Sequence, residues 1–230
     1  MNEPARLRPP LARVAGVDAG MLFLAKFLRP KPVIWALIIL PGLWPIWPLY
    51  IRQDPSALAD GLKFILLHLG FVASVLLVAV LTFTPLRGLF PKSPVAQALN
   101  RHRRLVGVSA FGYAAIHFSV HVLYEGGWEF IDTTLQTAVN KPFQLTGLIA
   151  LSILLVLAAT SLNSAIRWLG GKLWKNVHRL AYVAVALVAY HQISAKKVFP
   201  MEVVWIFGPL AVLEFARFWK QRAKTRAVAR

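Results

Sequence analysis

Leu105–Tyr124 reads LVGVSAFGYAAIHFSVHVLY. It is apolar enough and long enough to cross the ~30 Å hydrocarbon core of a bilayer as one helix. His117 sits inside it. A titratable ring at membrane depth is expensive, so it marks a functional site by default. A second stretch, His178–Ile193 (HRLAYVAVALVAYHQI), places His191 in a similar setting. Two such rings on different spans suggest one shared ligand.

Working outward, the whole chain has the same character. Its 230 residues are 57% hydrophobic and 15% charged, too little charge to cover a soluble surface. The expected class is an all-α integral membrane protein. The net charge of +17 would suggest nucleic acid in a soluble protein. Here basic loops that fix membrane orientation explain it, and no nucleic-acid partner is expected. There is no cysteine, which excludes disulfides, thiolate catalysis, iron–sulfur clusters and Cys-ligated zinc. The histidines lie in separate apolar spans, which is not a zinc pattern. No Gly-rich phosphate loop or Ser-His-Asp set stands out, so no catalytic residue is assigned.

Six spans are expected, at about residues 33–51, 62–83, 105–124, 143–162, 178–194 and 203–219. Residues 1–32 form a basic leader, 33–219 the membrane bundle and 220–230 a basic tail. No cleavage site follows the first span, which reads as retained. Ala19–Leu28 suits a short interfacial helix, with Met21, Leu22, Leu24 and Phe27 on one face. Pro41, Pro45 and Pro48 should kink or break span 1, and Trp44, Trp47 and Tyr50 suit an interfacial belt. Pro85 should stop span 2. Basic loops are expected at 85–104 and 163–177, the second with Gly170–Gly171 as a helix terminator. An acidic loop with Trp128 is expected at 125–141. Lys and Arg concentrate in the leader, the tail and the loops after spans 2 and 4. Both termini are therefore expected in the cytoplasm, with the basic loops free to meet lipid headgroups. Lys196–Lys197 is a basic pair on the opposite side, read chiefly as an anchor for span 5. Glu214, inside span 6, is expected to pair with Arg217.

In this topology spans 3 and 5 run in the same direction. His117 lies 12 residues after Leu105 and His191 lies 13 after His178, rises of about 18 and about 20 Å. Equal depth on parallel helices is what two axial imidazoles of one b-type haem need. The bland alternative is a pair of structural histidines that hydrogen-bond between helices. His178 would face about 140° away from His191 on one straight helix. Either span 5 is kinked, or His178 serves a second haem, a flavin or quinone, or merely the interface. His102 is the neighbour a second haem would need, but it lies among basic residues outside the span. His121, one turn from His117, and His68, near the outer end of span 2, are weaker cofactor candidates.

Arg103–His117 (RRLVGVSAFGYAAIH), Lys141–Gly147 (KPFQLTG) with Thr160–Ser161, and Trp174–Tyr182 (WKNVHRLAY) with His191 resemble the signature stretches of the MsrQ (YedZ) family. Asp54–Pro55 and Thr84–Pro85 fit as well, so the resemblance runs from about residue 33 to 220. It departs at Gln192, where a Tyr is usual, and at Phe71, where an Arg is usual. The resemblance implies a ferric-reductase-like membrane domain that binds haem b, with His117, His178 and His191 as the family's histidines. It also implies FMN, a bacterial inner-membrane location, and electrons from quinol or a cytosolic flavin reductase. They would pass to a periplasmic molybdopterin methionine sulfoxide reductase, the partner that performs the catalysis. A metal (ferric) reductase subunit, and a non-redox transporter or assembly factor with structural histidines, are the alternatives.

Overall fold

A computed structural model of the chain describes residues 19–126 and 141–228. Most of the expected leader and of the acidic loop with Trp128 lies outside the described residues. Every regular element within them is helical.

Helix α1 (Ala19–Phe27) leaves Leu22, Phe23, Leu24 and Phe27 exposed, the surface an interfacial helix presents to lipid. Helix α2 (Lys31–Leu43) begins with Pro32 in its first turn, where no N–H is missed. It ends because Pro45 has no N–H for the Pro41 carbonyl. Trp44 N–H bonds that carbonyl instead at 3.3 Å, and a π-helical turn, Trp47–Ile51, follows. The expected kink in span 1 is thus present, with Trp44, Trp47 and Tyr50 exposed. The short helix α3 (Pro55–Leu58) is capped by Asp54, which accepts from Ser56 N–H at 3.0 Å and Ser56 Oγ at 2.7 Å. Those two donors hold the Asp54 carboxyl below the usual carboxylate range.

Helix α4 (Gly61–Leu89) starts at the Asp60 cap and does not stop at Pro85. Pro85 costs one backbone bond but is fully buried, and packing carries the helix past it. Lys220 Nζ then donates to the Leu89 carbonyl at 2.7 Å, closing the helix end. The expected loop at 85–104 also contains α5 (Pro94–Arg101), capped by Ser93 with Pro94 at its first position. Helices α6 (Arg103–Tyr124) and α7 (Pro142–Ala159) follow. The expected basic loop at 163–177 is helix α8 (Asn163–His178), broken at Gly170. There φ is 70°, which a side chain would resist. A single turn residue, Arg179, separates α8 from α9 (Leu180–Ser194), and α10 (Met201–Val228) follows.

Among the described residues three helices, α4, α6 and α7, are long and apolar enough to cross a membrane. The α2 and α9 helices are shorter, and α10 carries Glu214, Arg217 and Lys220. Arg217 pairs with Glu214 at 3.1 Å, as expected, and Tyr182 OH also donates to that carboxylate.

Two antiparallel pairs form the centre. Asp60 meets Tyr124 and Leu66 meets His117, so α4 runs against α6. Phe143 meets His191 and Ser161 meets His178, so α7 and α9 run against each other. Leu77, Val78 and Leu81 of α4 pack with Ala110 of α6, Leu154 and Leu157 of α7 and Ala184 of α9. Ala110 and Ala184 are 0% exposed, and their small side chains let the helices approach closely without a hydrophobic drive from lipid.

The α2 helix docks on α6 through Tyr113, whose OH donates to the Ile38 carbonyl at 2.8 Å. A Cβ on Gly42 would lie 2.7 Å from Tyr113 Cε1. Gly42→Leu should therefore lower the thermal midpoint of the detergent-purified protein, by about 1–3 kcal/mol of overpacking. Tyr113→Phe, which loses only the hydrogen bond, should cost about 1 kcal/mol. Equal midpoints for wild type and Gly42→Leu would refute this docking.

Candidate functional site: a histidine pair between two helix hairpins

A cavity of about 570 Å³ lies between the two helix pairs, lined by His68, His117, His121 and His191 among others. His117 Nδ1 lies 2.9 Å from the Leu66 carbonyl of α4. His191 Nδ1 lies 2.6 Å from the Phe143 carbonyl of α7. A carbonyl only accepts, so both Nδ1 atoms carry the proton and donate. In a neutral ring that leaves Nε2 with its lone pair, the tautomer used for binding a metal.

Glycine makes both approaches possible. A Cβ on Gly70 would lie 2.9 Å from His117 Cε1, and one on Gly147 would lie 2.8 Å from His191 Nδ1. Each glycine sits four residues after the accepting carbonyl, on the same helix face. The two rings stand 6.3 Å apart between centroids, with planes at 85°. A third contact sets the spacing of the pairs. Gln192 Nε2 donates to Ser74 Oγ at 2.5 Å, and Ser74 Oγ donates to the Gly70 carbonyl at 2.8 Å. This ties α9 to the stretch of α4 that grips His117. Gln192, where the family resemblance fails, is thus a strut in this chain.

The other histidines are placed differently. His68 Nε2 donates to the Pro41 carbonyl at 2.7 Å, the carbonyl that Pro45 cannot serve and that Trp44 N–H also bonds. Its ring packs on Trp44, so its Nε2 serves the α2–α4 contact. His121 lines the cavity one turn beyond His117. His178 is not part of this cavity. Its Nδ1 donates to the Trp174 carbonyl of its own helix at 3.1 Å, and its ring stacks on Trp174 at 4.0 Å. Arg103 lies over the Trp174 ring at 5.8 Å. Arg179, between α8 and α9, keeps right-handed helical angles (φ −68°, ψ −22°), and the His178 ring stands on Trp174 and not beside His191. His102, between α5 and α6, is buried with Nε2 lacking a partner. Lys196 pairs with Glu202 at 3.2 Å at the cavity rim, which suits an anchor for the end of α9. Among the described residues no cluster of three metal-ligating side chains occurs.

The sequence matches the family described as ferric reductase like transmembrane component over residues 69–189. The Brucella anthropi protein-methionine-sulfoxide reductase heme-binding subunit MsrQ is 34% identical over 202 residues, covering 87% of this chain and 89% of its own length. The protein of the same name from Brucella ovis is 33% identical over 203 residues, with the same coverage. The chain belongs to the MsrQ family.

Those relatives bear haem binding in their name, and the cavity here fits such a group. Its volume is within the range of about 300–1,000 Å³ usual for ligand sites. Two imidazoles bonded through Nε2 to one metal at about 2 Å each would put their centroids about 6 Å apart. The two glycines make room for the imidazole rings themselves, which a Cβ would meet at 2.8–2.9 Å.

Gly70, Gly147 and Ser74 are not legible in one sequence, because their partners are remote imidazole rings, a backbone carbonyl and a remote amide. The visible signal is a glycine four residues after an apolar residue in two different spans, which reads equally well as close helix packing. A double-mutant cycle tests the grip. Gly147→Leu should lower the unfolding midpoint, and His191→Ala in the same chain should recover much of the loss. The expected coupling is about 1–3 kcal/mol; strict additivity would refute the contact.

Proposed function

We propose that this MsrQ-family chain is the haem b electron-transfer subunit of a methionine sulfoxide reductase system in the bacterial inner membrane. The observation that carries the reading is the pair of imidazoles, His117 and His191, each fixed through Nδ1–H to a carbonyl and each seated on a glycine. In this reading their Nε2 atoms would hold the iron of one haem per chain. Haem bound there supplies an iron that cycles between ferric and ferrous, a one-electron carrier. The Leu66 and Phe143 carbonyls keep each ring in the binding tautomer and raise its basicity. Leu77, Leu154 and Val188 keep the interior of the cavity dry.

The bundle at 33–219 is assigned six spans with both termini cytoplasmic, a basic leader before it and a basic tail after it. His178, with Trp174 and Arg103, then lies at the cytoplasmic end, where quinol or a cytosolic flavin reductase would deliver electrons. The acceptor is a periplasmic molybdopterin enzyme, which carries out the reduction of methionine sulfoxide. FMN is the second cofactor that the family resemblance implies.

A reduced-minus-oxidised spectrum of the purified protein, with haem and flavin quantified, tests this. A b-type α band is expected in the wild type and in His178→Ala. His117→Ala and His191→Ala should each lose it. No band in the wild type, or a band that survives both ligand substitutions, would sink the proposal. In a deletion strain, loss of periplasmic methionine sulfoxide repair with normal ferric reduction separates this role from that of a metal reductase.

A further inference from the structure

Gln144 occupies the first turn of α7, one residue past the carbonyl that holds His191. It is only 7% exposed, it lines the cavity, and neither Oε1 nor Nε2 has a hydrogen-bond partner. An amide buried without partners is costly, and each such group needs an explanation. The cavity itself suggests one, because its two ends differ. Leu77, Leu154 and Val188 line the end deeper in the bundle. His121, Lys196 and Glu202 line the end near residues 61, 124, 142 and 194, where Gln144 also lies. A ligand that matches this lining has a flat apolar body and acid groups along one edge. A porphyrin with two carboxylates has that form. Of the cations at that end among the described residues, Lys196 alone lines the cavity, and it already pairs with Glu202; Lys63 and Lys141 are not in the lining. Gln144 Nε2 is an uncommitted donor there.

We propose that Gln144 is a positioning residue for the haem, its Nε2–H donating to a carboxylate on the porphyrin edge. The inference rests on the haem reading above. The bond would fix how the porphyrin is rotated between His117 and His191, which the two axial nitrogens alone leave free. It would also give the amide nitrogen the partner it lacks.

The test uses the full-length protein in detergent with haem bound. Gln144→Met keeps the length of the side chain and removes both polar atoms. It should retain the bis-imidazole spectrum and lose haem to a globin acceptor roughly tenfold faster, as expected for a lost hydrogen bond to a charged group. The porphyrin carboxylate bending mode in the resonance Raman spectrum should shift. Should Gln144→Met hold no haem, Gln144→Asn, one methylene shorter, must shift the same mode. A bending mode and haem-loss rate unchanged from wild type would mean that packing or a buried water serves the amide, and would overturn the proposal. A wild type with no b-type band fails earlier and refutes the haem reading itself.

Discussion

The structure depends on one contact made twice: an imidazole N–H reaching a helix carbonyl over a glycine. In lipid no water can satisfy a stray N–H, so each ring needs an acceptor within the protein. The Leu66 and Phe143 carbonyls are also the ones to which the N–H groups of Gly70 and Gly147 point in α-helical register. A carbonyl has two lone pairs, so it can serve both its own helix and the ring. Any side chain at the fourth residue would stand between ring and carbonyl. The glycine and the shared acceptor are therefore one requirement, and together they fix the tautomer, the ring's position and the closeness of the helices.

That requirement organises the packing. Close approach at Gly70 and Gly147 is continued deeper in the bundle by Ala110 and Ala184, each fully buried. The prolines act at the margins. Pro45 strips a donor from α2, and His68 joins Trp44 N–H at the Pro41 carbonyl. The hydrogen bonds from Gln192 to Ser74 and from Ser74 to Gly70 then brace one pair of helices against the other. Ser74, His117, Gln144, His191 and Gln192 thus gather around the cavity, where a misplaced donor would cost most.

Much of this was legible from residue types. Apolar length revealed α4, α6 and α7 as helices long enough to cross a membrane, three of the six spans expected. Equal depth on parallel helices paired His117 with His191, and the structure brings those two rings together. The reading failed where polarity was equated with loop. Ser93–Pro94 is a helix start, and Asn163–His178 is a helix despite its basic residues. Pro85 was read as a stop because the local cost was visible and the burial that offsets it was not. The glycines, Ser74 and Gln144 were opaque for a different reason. Their meaning lies in partners distant in the sequence, 118 residues away for Ser74, or in a missing partner, which local pattern cannot encode.

The two grips are also near copies. The accepting carbonyl precedes its histidine by 51 residues in one half and by 48 in the other. Each half places carbonyl and glycine on the first helix of an antiparallel pair and the histidine on the second. No repeat is visible in the sequence, because the only shared elements are one glycine and one histidine. Each half can hold its ring without the other. What neither half provides alone is the 6.3 Å spacing between the rings, which arises only when the hairpins pack. A metal held between His117 and His191 would therefore draw its binding energy partly from the assembly of the bundle, and would in turn hold the two hairpins in register.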